Sequence, residues 1–187
     1  MNKHFDNYLH VESLIKTYRP KFIVELGAAQ GANTVQLLSL RKLYPFKMIT
    51  VDTEPLEEMF SEVRLAYREK ETDFQYLQGY SYDAIPYFPD NTIEYCSIDT
   101  DHKYSVLKKE LDLLYPKLSG FCILVFHDTF SANQREGVIG EVQGEKVMTE
   151  AIVEFMNEHK EFVLIRKTNE SCGAMAIGRG IILGWLE

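Results

Sequence analysis

No stretch of this 187-residue chain approaches the roughly 18 consecutive apolar residues of a membrane span, and residues 1–6 lack the apolar centre of a secretory signal. Cysteine is scarce. Cys96, Cys122 and Cys172 are isolated and odd in number, which argues against a disulfide framework and predicts a reducing, cytoplasmic setting. Positive charge is short as well: 20 basic residues face 28 acidic ones, a formal charge of −8, the wrong sign for general attraction to nucleic acid or to an anionic membrane surface. A small-molecule ligand is expected instead. With no internal repeat, low-complexity tract or proline- and serine-rich linker, residues 1–187 are predicted to form one domain.

What the chain does have is a regular alternation of elements. The spacing of Tyr8, Val11 and Ile15 predicts a first helix near residues 4–18, ending before Pro20. Strands are predicted at 21–26, 46–52, 73–78, 93–99 and 121–126, separated by helices near 32–43, 55–70 and 103–115 and by an aromatic turn at 79–90. The unbroken apolar run Phe121–Phe126 suits a central parallel strand covered on both faces. A loop punctuated by Gly137, Gly140 and Gly144, residues 130–146, leads to a helix carrying Met148, Ile152 and Phe155, and two strands near 161–166 and 173–178 form a hairpin. Such an order gives an α/β sandwich with a mostly parallel sheet, whose ligands bind beyond the carboxyl ends of the strands.

Acids collect at those ends. The first strand closes on Glu25, the second on Asp52, the fourth on Asp99 with Asp101 and His102 just beyond, and the fifth on His127 and Asp128. Solubility would be served equally well by acids in the helices, so the rim is the expected site. The first strand runs into a turn in which Gly27 and Gly31 remove Cβ atoms that would hold a ligand off the backbone, ahead of a helix start with unpaired N–H groups. The pyrophosphate fingerprint is absent because Ala29 and Ala32 stand where its second and third glycines would be, and the Walker lysine is missing too. Asp52 lies 21 residues after Gly31, the distance at which doubly wound folds set a carboxylate against ribose hydroxyls; its other reading is a cap on the turn that follows. Glu25 is either a site residue or a buried acid holding its own loop.

On these blocks the chain resembles class I S-adenosylmethionine-dependent methyltransferases over nearly its whole length. Val24–Gly31 resembles the cofactor turn, Val51–Thr53 the segment with the ribose-binding acid, and Ile98–Tyr104, Leu114–Leu118 and Val125–Thr129 the later part. The last group is similar to the branch containing macrolide-sugar and catechol-type O-methyltransferases and cephalosporin-hydroxylase-like proteins. The resemblance implies a Rossmann-like three-layer sandwich with a seven-stranded, mostly parallel sheet and an antiparallel last strand. It implies S-adenosylmethionine as cofactor, with Gly27, Ala29 and Gly31 around the methionine part and Glu25 and Thr34 among the cofactor-binding residues. Asp52 and Thr53 would meet the ribose, Ser81 and Tyr82 the adenine, and Asp99 would lie nearby. It also implies a divalent metal held by Asp99, His127 and Asp128. A histidine with two carboxylates suits Mn²⁺, Fe²⁺ or Zn²⁺ better than Mg²⁺, and equally leaves room for no metal at all.

The activity expected is methyl transfer to a hydroxyl of a small molecule, in which the protein aligns the acceptor and removes a proton. His102, with Asp99, is the candidate base; a purely structural role for His102 stands beside it. The 130–146 loop is read as a lid or a plain connection, and a homodimer that completes the site is consistent with the resemblance. Two alternatives remain open: a nicotinamide-dependent oxidoreductase, which Asp52 would serve equally well, and a cofactor-binding module without catalysis.

Overall fold

The computed structural model describes residues 11–68, 73–129, 147–168 and 174–181. Their elements alternate in chain order: α1 (Val11–Tyr18), β1 (Phe22–Leu26), α2 (Ala32–Leu40), β2 (Lys47–Asp52), α3 (Ser61–Arg68), β3 (Phe74–Gln78), α4 (Ser81–Ala84) and β4 (Ile93–Ile98). They continue with α5 (Tyr104–Leu114), β5 (Leu118–His127), α6 (Met148–Glu158), β6 (Val163–Thr168) and β7 (Ala174–Arg179). The first part of the expected N-terminal helix, residues 4–10, and the expected lid, 130–146, lie outside the described residues. Among the described residues no helix is long and apolar enough to cross a membrane.

The seven strands form one sheet in the order β3-β2-β1-β4-β5-β7-β6. Every pairing is parallel except those of β7, which runs antiparallel to both β5 and β6. This is the Rossmann-like methyltransferase architecture expected from the sequence, with the hairpin pairing of its last two strands. From β1 the chain builds outward through β2 to β3, then returns to lay β4 on the other side of β1. Loops on the two sides of that reversal part company above the strand ends and leave a crevice between β1 and β4.

Side chains of successive strand residues point to opposite faces, so each covered strand feeds two cores. Val24, Leu26, Val51, Ile98, Leu124 and Phe126 meet Leu107, Leu111, Ile152 and Phe155 on one face. Ile23, Met48, Tyr95, Ile123 and Val125 meet Ile15, Leu37, Leu40 and Val63 on the other. These residues are all at most 3% exposed, burial that contributes roughly 1.5–3 kcal/mol per large apolar side chain.

Two expectations change in detail. The helix predicted over 55–70 is a 3₁₀ turn, Leu56–Glu58, and then α3, because the Phe60 N–H leaves the helical pattern to bond the Gln30 carbonyl at 2.8 Å. Buried Met59 is thereby brought under the glycine turn. The aromatic turn at 79–90 contains α4 and a second 3₁₀ turn, Ile85–Tyr87, with Pro86 near its start, where its missing N–H costs nothing.

Candidate functional site

The turn after β1 coils through three left-handed residues, Gly27 (φ 82°), Ala29 (φ 49°) and Gly31 (φ 94°). A Cβ on Gly27 would sit 2.1 Å from the Asp99 carbonyl oxygen, and one on Gly31 would sit 2.8 Å from the Val63 side chain. The glycines therefore admit neighbouring protein, a need that stands beside the close ligand approach inferred from sequence. Gly27 lets the turn close against the end of β4, where Asp99 N–H bonds the Leu26 carbonyl at 2.8 Å. Ala29 holds a conformation that costs an L-residue roughly 1–2 kcal/mol. Asp52 supports it: one carboxylate oxygen accepts the N–H groups of Ala28 and of Ala29 (2.7 Å), and the other accepts Glu54 N–H at 2.8 Å. Both sequence readings of Asp52 thus bear on one side chain, which faces the cavity and caps its own turn.

Glu25 lies behind the turn. Sheet register sets Thr50 of β2 and Ser97 of β4 beside it on one face, and the first turn of α2 brings Asn33 and Thr34 over the same spot. Asn33 Nδ2 (2.7 Å), Thr34 Oγ1 (2.7 Å) and Thr50 Oγ1 (2.8 Å) all donate to its carboxylate. Burial pushes the Glu25 pKa up to about 7, against the lowering effect of those three bonds. Glu25 and Thr34 are wholly buried and line no part of the cavity in front of the turn. They fasten its frame.

That cavity, about 350 Å³, is lined by Gly27, Ala29, Asp52, Thr53, Ser81, Tyr82 and Asp99, with Thr100 and Val106 among the rest of its wall. Its size falls in the range of small-ligand and cofactor sites. Of the cofactor residues expected from sequence, seven line it; Gly31 stands outside with Glu25 and Thr34. At one end Tyr80 stacks on Tyr82 with ring centres 5.2 Å apart, and Lys109 Nζ lies 3.7 Å from the Tyr82 ring centre. Ser81 Oγ donates to Glu110, a buried acid of α5 absent from the sequence reading. Its one signal was an acid in the α5 stripe otherwise filled by Leu107, Leu111 and Leu114.

Beyond the cavity, Asp99, His102 and Asp128 turn toward one another. His102 Nε2 lies 3.1 Å from Asp99 Oδ1 and 3.4 Å from Asp128 Oδ2, and the three side chains are 33–40% exposed. One ligand atom from each falls within 4.8 Å of the others. The hydrogen bond to Asp99 raises the His102 pKa above its ordinary value, with burial opposing it. His127 does not join this group. It is buried at the end of β5, paired in register with Ala174, whereas the next residue, Asp128, takes a left-handed turn (φ 51°) that carries its carboxylate to His102. Of the residues expected from sequence to hold a metal, Asp99 and Asp128 thus lie together with His102, and His127 is not among the three.

Residues 24–129, more than half of the chain, match a family model described as a methyltransferase domain. No curated protein sequence matches the chain. Among solved structures, a provisionally named caffeoyl-CoA O-methyltransferase from Staphylococcus aureus is similar over 91% of this chain and 81% of its own, at 16% identity and a TM-score of 0.67. The S-adenosylhomocysteine-bound methyltransferase PaMTH1 from Podospora anserina is similar over 88% and 74%, at 12% identity and a TM-score of 0.63. A provisionally named rRNA methylase from Clostridium thermocellum is similar over 92% and 94%, at 12% identity and a TM-score of 0.61. At such identities the likeness is one of fold, and structures named for acceptors as unlike as caffeoyl-CoA and rRNA share it.

Proposed function

Because the chain belongs to the methyltransferase-domain family, whose cofactor is S-adenosylmethionine, we propose that it transfers the methyl group to a hydroxyl of a small molecule with the aid of a divalent cation. The observation that carries this reading is the Asp99–His102–Asp128 group, whose Asp99 lines the cavity. Two half-exposed carboxylates and an imidazole are a donor set for Mn²⁺, Fe²⁺ or Zn²⁺ more than for Mg²⁺. A cation held there would lower the pKa of an acceptor hydroxyl and orient it.

The chain's own residues do the rest. Gly27 and Ala29 offer backbone to the methionine end, Asp52 and Thr53 stand for the ribose, and Ser81 and Tyr82 for the nucleobase. Three N–H bonds occupy three of the roughly four lone-pair positions of the Asp52 carboxylate, so one ribose hydroxyl can bond at once and a second displaces an N–H of the turn. When bound, the cofactor would supply the methyl group, its sulfur keeping the electron pair of the broken bond as the acceptor oxygen takes the methyl carbon, and the hydroxyl proton would leave toward the carboxylate–imidazole group. Where no cation is bound, His102 is the group that takes the proton, and Asp99 and Asp128 stabilise the imidazolium. The acid excess, a charge of −8, favours a small acceptor over nucleic acid.

Calorimetry tests the reading in two parts. S-adenosylhomocysteine is expected to bind in the micromolar range and reduced nicotinamide dinucleotide not at all; indifference to the former at millimolar concentration overturns the function. Mn²⁺ is expected to bind the unaltered chain and to be lost from Asp128→Asn, with turnover of a phenol and sugar panel falling about 100-fold in that variant. Cofactor binding without turnover on any acceptor or metal would identify a non-catalytic binding module.

A further inference from the structure

Glu110 occupies a position where the helix asks for an apolar residue. It falls one turn after Leu107 and beside Leu111 on the buried stripe of α5, and none of its surface reaches solvent. A leucine would fill that stripe without removing a carboxylate from water. What the carboxylate does instead is accept two hydroxyls from different segments. Ser81 Oγ, on the first residue of α4, donates to Oε1, and Thr100 Oγ1, just after β4, donates to Oε2 at 3.0 Å. Ser81 and Thr100 both line the cavity; Glu110 does not.

We propose that Glu110 is a positioning residue for methyl transfer: it ties the segment after β3 to the segment after β4 and so sets the width of the cavity at the end assigned to the nucleobase. This rests on the methyltransferase reading of the same site. The tie is complete only with the carboxylate ionised, because a protonated carboxyl must donate through one oxygen and turn one of the hydroxyls about. Burial pushes the Glu110 pKa up to about 7, the two hydroxyl bonds opposing it. Besides those hydroxyls, the titratable groups around it are Asp101 after β4, Tyr82 on α4 and Cys96 on β4. Cofactor affinity is thus expected to climb as pH rises through neutrality.

The test compares the unaltered full-length chain with Glu110→Gln, Glu110→Leu and Thr100→Val. S-adenosylhomocysteine affinity is measured at pH 6 and pH 8, and amide hydrogen exchange is followed in residues 79–84 and 99–102 against β1 and β5. Glu110→Leu is expected to lose about tenfold in affinity and to exchange faster in both loop segments with the core strands unchanged. Thr100→Val, which leaves the stripe intact, is expected to move both readouts in the same direction by a smaller factor, and Glu110→Gln to flatten the pH dependence. Equal affinity in the unaltered chain and in both Glu110→Leu and Thr100→Val, or loosening spread evenly over the core, overturns the positioning role alone. An unaltered chain that ignores S-adenosylhomocysteine overturns the methyltransferase reading and the role with it.

Discussion

Behind the cavity wall, Glu25 and Glu110 accept hydroxyl or amide donors at both carboxylate oxygens and have no contact with solvent; Asp99 and Asp128 share a single imidazole and keep a third or more of their side-chain surface in water. Three of the four acids stand at strand ends and Glu110 inside α5, and their surroundings divide the work. A carboxylate walled off from solvent, with protein donors on both oxygens, is out of a ligand's reach, and serves by fixing the loops around it. One with free lone pairs and water at hand can exchange that water for a metal or a substrate proton. Perturbed titration is therefore a poor guide to chemistry here, because the acids raised to about 7 are the buried ones.

The division can be broken most forcefully at Glu25. Replacing it with leucine leaves Asn33, Thr34 and Thr50 facing an apolar group, and we expect a loss of about 4 kcal/mol in urea unfolding, whereas Asp128→Asn should change stability by less than about 0.5 kcal/mol. Similar losses in both would erase the distinction. The pH dependence of stability gives a second effect, smaller for each acid taken singly. Both buried acids are raised from 4.5 to about 7, so the folded chain retains protons that the unfolded chain releases. The associated stability is fully present below about pH 4.5 and is lost as pH rises through about 7. A shift of 2.5 units corresponds to about 3 kcal/mol for each acid as an upper bound. Urea titrations from pH 4.5 to 8 should show this slope in the unaltered chain and a much shallower one in the Glu25→Gln, Glu110→Gln double variant. The smallest effect concerns the turn in front of the wall: Ala29→Gly relieves a left-handed alanine while loosening the unfolded chain, and thermal unfolding should move by no more than about 1 kcal/mol in either direction.

Much of this was legible in the residues, for identifiable reasons. Apolar runs such as Phe121–Phe126, the glycine turn and the acids at common strand ends are local patterns, and the strand and helix order follows from them. Partners were not legible. That Glu25 sits between Val24 and Leu26 suggests a buried acid, but Thr50 and Ser97 become its neighbours only through a register set by sheet assembly. Glu110 interrupts a leucine stripe in plain view, while Ser81 and Thr100 lie 29 and 10 residues away. The break before α3 depends on a bond from Phe60 to Gln30, and the exchange of His127 for His102 depends on one left-handed residue, Asp128. No propensity or spacing encodes either.

The antiparallel β7 carries a consequence for how the chain is made. Among the described strands it is the seventh synthesised, yet it occupies the slot between the fifth and the sixth, so β6 emerges from the ribosome before the strand it pairs with exists. Until then the Cys122–His127 edge of β5, rich in leucine, valine and phenylalanine, is an open template for a strand from another molecule. A messenger truncated just before Ala174 would yield a product with that edge permanently bare, and its fate should be the proteolysis and inclusion-body fraction rather than a slightly shortened enzyme.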